Sequence, residues 1–120
     1  RFTRHVVFVK PDLIVIADQL EAASPSTFEW HLHAPVAIDS TDGGEIVVAG
    51  KKASCRVNIL APAQLQTSVT DRYDVPPRAK VKVKEWHLTA STAAAQANAE
   101  FITVIRPWRT GRFPRMPWWD

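Results

Sequence analysis

The chain has 120 residues, 46% of them apolar, with a formal net charge of +3 and a pI of about 9.4. That is one domain's worth of chain, long enough to bury a core without metals or disulfides as staples, and too apolar for a disordered segment. A single cysteine, Cys55, excludes an internal disulfide. No apolar run approaches the ~20 residues of a membrane helix, and the mild basicity permits an acidic partner without demanding one.

The dominant pattern is short strand-like runs separated by turn residues. Residues 5–10 (HVVFVK) and 13–20 (LIVIADQL) flank a Pro11–Asp12 turn and predict a β-hairpin. Neither run alternates: Val6, Val7, Phe8 and Val9 are all apolar, as are residues 13–17. A strand apolar on both faces is buried on both. The hairpin is therefore either a central pair under a loop or a surface that another domain covers. Residues 22–27 (AASPST) read as a loop.

Residues 28–33 (FEWHLH) alternate well, with Phe28, Trp30 and Leu32 on one face and Glu29, His31 and His33 on the other. The TDGG segment at 41–44 predicts a hairpin turn between strands at 36–38 and 45–49. Residues 55–60 form a further strand, and 65–69 a weaker one. Residues 71–78 are a loop with two prolines. In 81–89 (VKVKEWHLT) the apolar parity changes, which predicts a bulge near Lys84 and Glu85.

Residues 91–100 (STAAAQANAE) are expected to be a hairpin loop with room for one helical turn. The last strand is expected at 101–106, and residues 107–120, with three prolines, as a tail that leaves the sheet. The expected architecture is all-β: an antiparallel β-sandwich of about eight or nine strands over residues 1–107, with a Pro/Arg/Trp-rich tail at 108–120. Because Arg1 leads straight into strand pattern, the chain reads as a piece of a longer protein.

Few residues carry a chemical signature. Period two puts His31 and His33 on one strand face, where they could share a metal if Asp18 or His87 supplied a third ligand. The alternative is a solvated pair on a polar face, and no second half of a metal motif is present, so no metal ligand is assigned. Lys80, Lys82 and Lys84 form a basic row, with Arg72 and Arg78 upstream. The row could hold carboxylates or sulfates of an acidic sugar, or protect a sheet edge from pairing. Trp108, Trp118 and Trp119 lie among arginines of the tail, suited either to stacking on a ligand or to anchoring a neighbouring domain. Cys55 in a strand reads as a buried, inert thiol, and no nucleophile motif, phosphate loop or zinc spacing occurs.

Residues 4–20 (RHVVFVKPDLIVIADQL), followed by FEWHLHAP at 28–35 and AEFITVIRP at 99–107, resemble the C-terminal β region of heparinase II/III-like polysaccharide lyases. The likeness spans roughly residues 2–107 and rests on a hairpin and two strand patterns. It implies a parent with an N-terminal α/α toroid that cleaves uronic-acid polysaccharides by β-elimination, periplasmic or secreted. The family's catalytic Tyr and His, and its structural zinc ligands, precede the segment seen here. The resemblance thus implies a domain with no catalytic residue and no cofactor of its own. Its expected partners are the toroid and upstream β region of the same chain and an acidic polysaccharide, contacted through Arg78, Lys80, Lys82, Lys84, His31 and His33, with neither nucleic acid nor membrane as partner. The alternative is an independent carbohydrate-binding module for acidic polysaccharides.

Overall fold

In the computed structural model the described residues are 1–40, 45–71 and 85–109. They form nine strands: β1 (Phe2–Val9), β2 (Leu13–Ser26), β3 (Glu29–Ala34), β4 (Ile38–Ser40), β5 (Glu45–Ala49), β6 (Ala53–Ala61), β7 (Leu65–Thr70), β8 (Trp86–Thr92) and β9 (Gln96–Arg109). A six-stranded sheet runs β1-β2-β9-β6-β5-β4 and a three-stranded sheet β3-β8-β7. Every pairing is antiparallel. The all-β sandwich expected from the turn spacing is the observed fold.

Alternation places the core. On β6, Cys55, Val57 and Ile59 face inward; on β9, Phe101, Thr103 and Ile105 do so, and on β5, Ile46 and Val48. These meet Trp30 and Ala34 of β3 and Leu88 and Ala90 of β8. Phe101, Val57, Leu88 and Ile46 are essentially inaccessible. Each such side chain contributes about 1.5–3 kcal/mol by leaving water. At Gly50, which joins β5 to β6, a Cβ would collide with the Ala53 carbonyl oxygen, so only glycine fits the turn.

Four expectations change. First, β1 is not a central strand but the edge of the larger sheet. The hairpin about Pro11 and Asp12 is as expected, and its register sets Val6 opposite Ile16 and Val9 opposite Leu13. Its apolar residues are open on both faces: Phe2, Val6 and Phe8 on the inner side and Val7 and Val9 on the outer are all about half exposed. The physical reason is width. Strands lie about 4.8 Å apart, so three strands cover roughly half of six. Second, 22–26 is strand, because β2 continues through a register shift to pair Ser26 with Gln96.

Third, 91–100 contains no helical turn. Ser91 and Thr92 end β8, and β9 begins at Gln96, so only three residues make the connection. Helix propensity loses here to the ladder with β2, which satisfies the backbone of residues 98–100. Fourth, β9 does not stop at 106. Pro107 pairs with Cys55, Trp108 with Ser54 and Arg109 with Ala53. At this end β9 has run beyond the start of β2 at Leu13, so Pro107 lies on an open edge where its missing N–H costs little. The turn at 41–44, the loop and lysine row within 72–84, the bulge at Lys84 and the tail from 110 onward lie outside the described residues.

Phe101→Ala should lower the unfolding free energy by about 3–5 kcal/mol, whereas Phe8→Ala in this chain should cost under about 1 kcal/mol. Urea denaturation of the two variants checks the assignment, and comparable losses would contradict it. Thr103 is fully buried, and its Oγ1 makes no hydrogen bond among the described residues. Thr103→Val should therefore leave stability unchanged or raise it by about 1 kcal/mol in the same assay.

Candidate functional site

Among the described residues, a cluster of titratable side chains lies on the outer face of the three-stranded sheet. Residues directly opposite in an antiparallel pair share a face. The β3–β8 register sets His33 opposite His87 and His31 opposite Thr89. The alternation that buries Trp30 and Leu88 therefore turns His31, His33 and His87 outward together.

The contacts form a chain across the two strands. Glu29 Oε2 lies 3.0 Å from His31 Nε2. His31 Nδ1 lies 2.7 Å from His87 Nε2, so one imidazole nitrogen donates to the other. The Thr89 hydroxyl is 3.3 Å from His31 Nδ1 and 3.4 Å from His87 Nε2. The His87 ring stacks on His33, with centroids 4.2 Å apart, and His33 Nδ1 reaches Glu85 Oε1 at 2.8 Å. The carboxylates hold the two ends, and His87 sits between two other imidazoles.

His87 accordingly holds a proton less readily than a free imidazole, first because it is desolvated and then because His33 and His31 would repel its charge; Glu85 and Glu29 oppose this. β7, on the far side of β8, has no titratable residue within the strand, and Asp71 follows it directly. A hydrogen bond between two imidazoles needs one of the two facing nitrogens bare, so at least one of the two rings is neutral in this arrangement.

Of the residues singled out from sequence, His31, His33 and His87 come together; Asp18 does not. Asp18 is on the inner face of the six-stranded sheet, 2% exposed. Arg4 Nε donates to its Oδ1 at 2.7 Å and Arg4 Nη2 to its Oδ2 at 2.9 Å. It is a structural carboxylate, not a ligand for the histidines. Among the described residues no group of three or more His, Cys, Asp or Glu is disposed to hold a metal ion. In the histidine cluster, the closest nitrogens point at one another and not at a common centre. Glu29 and Glu85 were not singled out beforehand; their role depends on the strand register. Arg78, Lys80, Lys82 and Lys84 lie outside the described residues. Cys55 is half-buried, and burial pushes its thiol pKa up, which makes it a poor nucleophile.

No protein-family model matches the chain, and no curated protein matches it.

The histidine chain has a pH consequence. A group whose folded-state pKa is lowered takes up its proton more readily in the unfolded chain. His87 therefore contributes stability that is present above its unfolded value of 6.5 and is lost as pH falls below it. Urea midpoints measured between about pH 7.5 and pH 5 should fall with acidification. His87→Gln should flatten that fall, and an unchanged pH dependence in the variant would refute the assignment.

Proposed function

We propose that this chain is the C-terminal β domain of a heparinase II/III-like polysaccharide lyase, in which it supports the catalytic part and the substrate cleft and performs no elimination by itself. The observation that carries this reading is the β1–β2 hairpin. Val6, Val7, Phe8 and Val9 form a contiguous apolar run, open on both faces at the edge of the larger sheet, and Phe2 at the start of the same strand is exposed as well. Such an edge invites association, and soluble proteins normally cover it, charge it or twist it away. Here the covering element is the upstream part of the same longer protein.

The resembling segment is consistent with this use because its two ends interact. Arg4, which opens it, and Asp18, near its close, are directly opposite in the hairpin and joined by a two-pronged ion pair. The motif is thus a self-contained structural unit, suited to presenting an apolar edge in a fixed register. None of its residues forms a catalytic arrangement.

Incubation of the chain with heparin, heparan sulfate or alginate should give no rise in the ultraviolet absorbance of unsaturated uronate. A rise dependent on this chain alone would overturn the proposal.

A further inference from the structure

Among the described strands β1 pairs only with β2, and it carries none of the features by which exposed edges avoid further pairing. All eight of its residues pair with β2 in one register, so no bulge turns the strand away. It contains no proline, and the guanidinium of Arg4, its one arginine, is engaged on Asp18 of β2. The other described edges are built differently. β4 is three residues long, β3 presents Glu29, His31 and His33, and β7 presents Gln66, Thr67 and Ser68. Charge stands instead on interior strands of the larger sheet, where Arg56 of β6 is directly opposite Arg106 of β9. The edge itself carries exposed valines and a phenylalanine.

We propose that β1 pairs with β1 of a second copy of this chain, antiparallel about a two-fold axis through Val6, joining the two larger sheets edge to edge. Such an axis stands perpendicular to the sheet, so inner residues face inner ones and outer residues face outer ones. Charge then selects among the registers this allows. Centring on Val7 would set Arg4 opposite the partner's Lys10, where like charges repel. Centring on His5 would oppose the two His5 rings, which repel once protonated. Centring on Val6 sets Val6 opposite itself, His5 opposite the partner's Val7, Thr3 opposite the partner's Val9 and Arg4 opposite the partner's Phe8. No two charges are then opposed, and the apolar residues on both faces gain the neighbours that β2 alone does not supply. The pairing uses the β1 edge of both copies, so it closes at a dimer.

The inference goes beyond the lyase reading. An upstream cover and a second copy compete for one edge, and self-pairing belongs to the 120-residue chain by itself. One strand pair is a small interface beside those of tight complexes, so dissociation on the order of 10–100 µM is expected.

The test is sedimentation of the chain from about 1 µM to about 1 mM, with amide exchange measured at both ends of the range. A monomer–dimer equilibrium is expected, and exchange should slow in residues 3–9 as the dimer forms. Val6 is 59% exposed, so Val6→Lys and Val6→Glu should keep the fold, which circular dichroism checks. Each variant opposes like charges across the axis and should weaken self-association by about tenfold or more, whereas an equal mixture of the two should restore the dimer. The unaltered chain decides the matter even if a variant fails to fold. A monomer at every concentration, growth beyond the dimer, or slowed exchange elsewhere than in β1 would overturn the proposal. So would folded Val6 variants that self-associate as tightly as the unaltered chain, or a mixture no tighter than its components. None of these outcomes bears on the lyase reading, which the absorbance assay decides.

Discussion

Coverage of a six-stranded sheet by a three-stranded one governs most of what is distinctive in this molecule. Where the two overlap, alternation gives one dry face and one wet face, and the core is continuous from Trp30 and Ile38 to Val57 and Phe101. Where they do not overlap, the inner face of the larger sheet must meet water, a partner or its own polar side chains. Apolar burial of about 25 cal/mol per Å² is gained only in the covered half. The open half is held by backbone ladders and by whatever its side chains do for one another.

Asp18 marks the boundary between the two regimes. Its carboxylate lies on the same face as Phe101, its partner on β9, yet it is a charge. Such a group is tolerated only if it is paired. Arg4 provides the pairing from the neighbouring edge strand, its side chain 46% exposed while that of Asp18 is 3% exposed. The guanidinium also lies over the Phe2 ring, 5.4 Å from its centre. In effect, a half-solvated arginine roofs the sheet where the second layer ends.

Turn spacing was enough to read the sandwich and the first hairpin from sequence, and period-two patterning the two faces of residues 28–33. Length and propensity were weaker guides. The segment at 22–26 looks like a loop by composition, and 91–100 looks partly helical, but both are overridden by pairing partners far away in the chain. Pro107 looks like a terminator, but a terminator acts only where an N–H is needed, and the open edge beside it needs none. The histidine pair was visible as a spacing. His87 was visible only as one of two possible third members, beside Asp18, because a one-residue slip in the β3–β8 register would have placed it on the opposite face; the flanking role of Glu29 and Glu85 depends on the same register. The arginine pair was invisible for the same reason: Arg56 and Arg106 are 50 residues apart in the chain and adjacent only through the β6–β9 ladder.

The two outer faces resolve crowded charge differently, and the contrast gives each its character. On the smaller sheet, carboxylates cap both ends of a histidine row, and hydrogen bonds or stacking satisfy every imidazole in it. On that face, desolvation and the two neighbouring imidazoles oppose a charge on His87. On the larger sheet, Arg56 and Arg106 stand directly opposite each other, and Glu45 Oε1 reaches Arg56 Nε at 3.2 Å. A guanidinium cannot shed its charge as an imidazole can, so crowding there is relieved by carboxylates and hydrogen bonds around the pair and not by a change of protonation state.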